Sequence, residues 1–162
     1  MDIDVAKHVA LYYRILPEKL KKVDNVLTYT SSKNGISKGF IGSLLALAED
    51  SLLCPNTTNP NNRAEIMQWL EYCALFVLPA ADNKMELNIL KDLDHALKTK
   101  SYLLGETLSL ADIVMFYSIG SLMHTLNNSN KFLHVARWYD HLQKNDAVSQ
   151  GRLIINFNSL FI

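Results

Sequence analysis

Cysteine is scarce. Cys54 and Cys73 are the only two among 162 residues, one beside Pro55 in a Pro-, Asn- and Thr-rich stretch and one inside a helical pattern. Settings so unlike make no disulfide framework and no C-x-x-C pair, the pattern of a reduced cytosolic or nuclear chain. Net charge is missing too. Sixteen basic residues balance sixteen acidic ones, so no global field draws the chain to nucleic acid. Lys19, Lys21 and Lys22 form only a local cluster, expected at a solvated helix end. The longest apolar run, Cys73 to Ala81, is broken by Pro79 and is far too short to cross a bilayer. Neither nucleic acid nor membrane is an expected partner. Asp2 and Asp4, with no basic segment leading into an apolar one, give no expectation of a signal peptide.

Catalytic patterns are absent as well. The sequence holds no H-E-x-x-H and no Gly-rich phosphate loop. His134 and His141 are seven residues apart, hence about 10.5 Å along a helix at about 1.5 Å per residue, too far to share one metal ion by themselves. Tyr12 and Tyr13 sit in a helical pattern, one as a core residue and one at its edge. No catalytic, cofactor-binding or metal-binding residue is assigned, and the weight moves to binding.

What is present is mainly helical periodicity around ample apolar content. Ile3, Val5, Val9, Tyr12, Tyr13 and Leu16 predict a helix over 3–16 that Pro17 ends. Val26 to Thr30 is β-branched and aromatic, and Asn34-Gly35 before Ile36 predicts a hairpin. Phe40, Ile41, Leu44, Leu45 and Ala48 predict a helix to about Ser51. Cys54 to Asn62 has no apolar period and reads as a linker. Helices are then expected over 62–78, 83–99, 109–126, 131–144 and 146–154. The closing residues 155–162 are apolar for a tail, so they fold back on the bundle or dock on a partner.

The most informative stretch is Tyr102 to Ile113. Ser109 is a good N-cap, and Asp112 three residues on completes a capping box with Asp in place of Glu. Leu108 and Ile113 form the hydrophobic staple. The segment that follows, from Val114 to Met123, is apolar nearly all round, as a helix at the centre of a bundle must be.

This segment resembles the capping box and staple of the all-helical C-terminal domain in glutathione-transferase-like proteins. Asn62 and Glu65 offer another capping box, and Val135-Ala136-Arg137-Trp138 resembles a late helix of the same domain. The resemblance implies a mostly α fold: a glutathione-transferase-like helical C-terminal bundle over 62–162, a linker at 55–61, and a truncated thioredoxin-like α/β N-terminal subdomain over 1–54. Two features depart from family members that bind glutathione. Asn25 stands where they carry a cis-proline, and a non-proline cis bond costs about 2.5–4 kcal/mol. Ser37-Lys38-Gly39-Phe40 lacks their acidic residue and Ser for the γ-glutamyl group. A glutathione-binding or catalytic transferase is therefore the alternative, not the expectation.

Within that family, Glu65 to Tyr72, Ile89 to Asp94, Tyr102 to Tyr117 and Val135 to Trp138 resemble the small auxiliary subunits of the animal multi-tRNA-synthetase complex. That resemblance implies a non-catalytic scaffold without a cofactor, pairing as a hetero-oligomer with the similar domains of methionyl-tRNA synthetase and glutamyl-prolyl-tRNA synthetase. It further implies a cytoplasmic protein with a nuclear role in the DNA-damage response; another elongation-factor-associated adaptor is the second alternative. One partner face is expected to use Phe40, Leu44 and Trp69. The other is expected at Arg137, which is either a fork onto a partner carboxylate or a clamp on its own bundle.

Overall fold

The computed structural model describes residues 2–53, 59–126 and 131–157. Cys54, most of the expected linker and the tail from 158 onward lie outside them. The chain opens with α1 (Asp2–Tyr12), followed by three strands, β1 (Leu20–Val23), β2 (Val26–Ser31) and β3 (Gly35–Lys38), and by α2 (Phe40–Asp50). The expected helix over 3–16 is shorter because Arg14 turns left-handed at φ 56°, and Pro17 opens a 3₁₀ turn rather than closing the helix.

The sheet runs β1-β2-β3 and is antiparallel throughout. The predicted β2–β3 hairpin forms, but β1 is an addition: Lys19 does end the 3₁₀ turn, whereas Lys21 and Lys22, expected at a helix end, lie on an edge strand, where charge blocks further pairing. Asp24 and Asn25, at φ 50° and 63°, form the two-residue turn that a right-twisted hairpin prefers. Leu27 and Tyr29 of β2 are buried beneath α2, and Ser43 of α2 donates to the Leu27 carbonyl at 3.3 Å. Asp50 ends α2 by accepting from the Tyr29 hydroxyl, the Ser31 hydroxyl and the Ser32 N–H at 2.8, 2.9 and 2.9 Å. Burial alone would raise the Asp50 carboxyl, but these donors outweigh it and hold it below the ordinary value.

The helical part comprises α3 (Pro60–Tyr72), α4 (Asn83–Ala96), α5 (Leu110–Ser118), α6 (Gly120–Leu126), α7 (Leu133–Gln143) and the short α8 (Asp146–Ser149). Pro60 presets the first turn of α3 and Asn59 caps it, accepting from the Asn61 N–H at 3.0 Å. The expected Asn62–Glu65 box is displaced into the helix body. At Ser109 the capping box is present. All nine residues of α5 are buried, and α5 packs against both α1 and α3. The expected single helix over 109–126 breaks at Ile119. Ser118 bends α5 by donating to the Val114 carbonyl at 2.7 Å.

After α8, residues 155–157 fold back on the bundle, as one of the two sequence readings has it for the closing segment; its remaining residues, 158–162, lie outside the described ones. Ile155 and Phe157 are buried, and the Gln143 side chain both donates to the Ile155 carbonyl and accepts its N–H, at 2.7 and 2.9 Å. One apolar core runs from Val5 of α1 to Phe157. Among the described residues no helix is long and apolar enough to cross a membrane.

Candidate partner interface

After Tyr72 the α3 helix continues as a wider, π-helical turn over Cys73–Val77, closed by the Leu78 N–H on the Cys73 carbonyl at 2.9 Å. Such turns often mark functional positions because the extra residue re-aims side chains. Cys73 and Val77 stay inside, while Leu75 and Phe76 are 66% and 51% exposed. Cys73 donates to the Ser118 hydroxyl at 3.1 Å, and burial pushes its thiol up to about 11.

Phe76 extends an aromatic series. Trp69, Tyr72 and Phe76 succeed one another with ring centroids 5.8 and 5.3 Å apart. Tyr72 donates to Asp92 of α4 at 2.8 Å, and burial together with that carboxylate raises its phenol well above the ordinary range. On either side of this bond lies a recess. One, of about 310 Å³, is lined by Tyr72, Phe76, Met85 and Ile89. The other, of about 560 Å³, is lined by Glu65, Gln68, Trp69 and Lys100. The result is an apolar groove between α3 and α4 with a polar rim, the composition of a docking face.

The residues singled out from sequence separate on the structure. Trp69 lines this groove. Phe40 is half-buried against the core. Leu44 of α2 is fully buried, so its side chain is out of a partner's reach. Arg137 lies on a different face. Its Nη2 donates to the carbonyls of Leu97 and Lys100 at 3.0 and 2.9 Å, satisfying the end of α4. The same guanidinium lines a recess of about 390 Å³ with Ser101, Glu106 and His141. Leu75 and Phe76 are not legible as surface residues because the apolar run from Cys73 to Ala81 reads as core, and Tyr72 and Met85 flank that run. Their signal was the spacing Trp69, Tyr72, Phe76, which repeats one helix stripe.

Ser109 and Asp112 hold the frame behind these faces. Asp112 is fully buried and accepts from the Leu103 N–H, the Ser109 N–H, the Ser109 hydroxyl and the Trp138 indole at 2.8, 3.0, 2.7 and 3.0 Å. Burial raises its carboxyl, and the four donors oppose that rise. Tyr13 lies in the core and Tyr12 at its edge, their rings edge to face at 4.9 Å. Among the described residues no three His, Cys, Asp or Glu side chains gather as metal ligands.

Comparison with known proteins places this geometry. The fold matches a crystal structure of a glutathione transferase family member from Pseudomonas fluorescens with two glutathione bound, at TM-score 0.69 and 17% identity over 93% of this chain and 88% of that one. That likeness shows the glutathione-transferase-like fold. Eukaryotic translation elongation factor 1 epsilon-1 of Mus musculus is 32% identical over 90 residues, 54% of this chain and 52% of that protein. The chain thus spans about half the length of the curated relatives it matches. A probable elongation factor 1-gamma of Caenorhabditis elegans is 29% identical over 72% of this chain and 35% of its own. The bifunctional glutamate/proline–tRNA ligase of Cricetulus griseus is 29% identical over 56% of this chain and only 6% of its own. The family model Arc1p_N_like, described as nuclear-export cofactor Arc1p, matches residues 62–146, just over half of the chain, and this chain belongs to that family.

Proposed function

We propose that the protein is a non-catalytic adaptor of the translation apparatus that docks through its helical bundle onto the similar domains of aminoacyl-tRNA synthetases. The observation that carries this reading is the α3–α4 groove, where Phe76 and Met85 expose apolar surface beside the half-buried rings of Trp69 and Tyr72. A partner helix of matching shape would bury that surface, and a neutral chain suits docking by shape more than by a long-range field. The relatives support the same direction. Similarity to 6% of a glutamate/proline–tRNA ligase means that the ligase carries a module of this kind as a small part of its length.

The finer reading names methionyl-tRNA synthetase and glutamyl-prolyl-tRNA synthetase as partners on two faces, the α3–α4 groove and the Arg137 recess, in the cytoplasm with a nuclear pool. Co-purification of the tagged chain from cytosol, followed by mass spectrometry, tests it. Both synthetases should be enriched, and Phe76→Glu should remove one of them. A second reading, an adaptor of the elongation-factor assembly, draws on the match to elongation factor 1-gamma, which covers more of this chain than the ligase match does. In that case elongation-factor subunits would replace the synthetases in the same experiment.

A further inference from the structure

Apart from both docking faces, a cavity of about 320 Å³ lies at the break between α5 and α6, closed by α7 and the segment after α8. Tyr139 of α7 is 5% exposed, and its hydroxyl lines this cavity without a hydrogen bond among the described residues. Other buried tyrosines differ. The buried Tyr29 and Tyr117 donate to Asp50 and to the Val148 carbonyl at 2.8 and 2.6 Å. An unpaired buried hydroxyl costs about 1–3 kcal/mol, so one facing a cavity points to an occupant.

Arg152 faces the same space. Its guanidinium lies 4.7 Å from the centre of the Tyr117 ring, and no carboxylate pairs with it among the described residues. Gly120 leaves the point between the two groups bare. A methyl placed on Gly120 would sit 3.4 Å from the Tyr139 hydroxyl and 3.7 Å from Arg152 Nη1. Two donors, one of them cationic, therefore converge on one position, and no acidic side chain lines the cavity. Phe116 and Leu153 make its apolar side.

We propose that this cavity binds a small organic anion, its carboxylate or phosphate held above Gly120 by Arg152 and the Tyr139 hydroxyl and its apolar body laid on Phe116 and Leu153. The guanidinium supplies permanent charge and a fork that fits either oxyanion. Burial pushes the Tyr139 phenol up to about 12, so it stays protonated and donates. A water molecule would satisfy the hydroxyl but would leave Arg152 without a counter-charge.

The test is an NMR titration of the full chain with phenyl phosphate and with benzoate, against benzyl alcohol as the neutral counterpart and inorganic phosphate as the bare anion. At least one aromatic anion should give saturable shifts around Gly120, tighter than either benzyl alcohol or inorganic phosphate; which of the two binds better names the anionic group. Arg152→Gln should weaken that binding by about tenfold or more, as loss of a charged hydrogen bond does. Tyr139→Phe should weaken it without lowering the unfolding midpoint, because the hydroxyl has no protein partner to lose. Gly120→Ala fills the position and should block binding even if Arg152→Gln fails to fold. The proposal is overturned if neither aromatic anion binds at millimolar concentration, if benzyl alcohol or inorganic phosphate binds as well, or if the folded Arg152 and Gly120 variants bind like the parent chain.

Discussion

Trp138 and Asp112, 26 residues apart, are joined by the indole N–H donating to the buried carboxylate at 3.0 Å. With Leu103 and Ser109 on the same carboxylate, one side chain ties the loop before α5, the start of α5 and the middle of α7 together. Removing the acceptor strands three buried N–H donors, each worth about 1–3 kcal/mol unsatisfied, so Asp112→Ala should destabilise by at least about 3 kcal/mol. Ser109→Ala should cost about 0.5–2 kcal/mol, the usual loss of an N-cap. Urea unfolding of both variants checks the order, and equal losses would mean that Asp112 acts only as a cap.

Arg137→Ala should leave the chain folded. It removes two bonds to carbonyls at the end of α4, on an exposed side chain, so the expected loss is about 1 kcal/mol. Thermal unfolding measures this clamp, and titration with a synthetase domain measures any role in docking separately. A large loss of affinity with a small loss of stability assigns Arg137 to both.

Asp50 predicts a pH dependence. Its carboxyl is lower in the folded chain than in the unfolded one, so its contribution is present above the ordinary carboxylate value and is lost as the pH falls through the folded one. The urea midpoint should drop below about pH 4, and Asp50→Asn should flatten that part of the profile. A profile unchanged by Asp50→Asn would contradict this assignment.

Cys73 should be chemically silent. With its thiol at about 11 and its side chain buried, almost none is thiolate at neutral pH. Peptide mapping after iodoacetamide should find Cys73 unmodified in the native chain and alkylated in urea; native alkylation would show that the π-helical turn opens.

Much of this architecture is legible in the sequence because local chemistry decides it. Ser109 and Asp112 cap the helix they announce, and the β2–β3 hairpin forms where Asn34-Gly35 predicts it, through a three-residue loop that Gly35 closes at φ 77°. β1 is not legible, since only Leu20 of its four residues is buried and the two lysines carry no strand period. The break at Ile119 is hidden inside a continuous apolar pattern. Most obscure are the contacts that cross the fold, such as Trp138 on Asp112, Tyr72 on Asp92 and Arg137 on Leu97, because no local spacing encodes them. The candidate groove suffers from the same limit: an apolar residue such as Phe76 looks alike in sequence whether the π-helical turn aims it in or out.

Docking through the α3–α4 groove is tested most directly by titrating the chain with the isolated glutathione-transferase-like domain of glutamyl-prolyl-tRNA synthetase, and with that of methionyl-tRNA synthetase, in a calorimeter. Saturable one-to-one binding to at least one domain is expected, weakened by about thirtyfold in Phe76→Glu, as truncating an interface anchor worth about 2 kcal/mol would do. Parallel titration with millimolar glutathione should give no saturable heat. Binding of neither domain, or a saturable glutathione site with Phe76→Glu unchanged, would contradict the adaptor reading and favour a transferase-type ligand site.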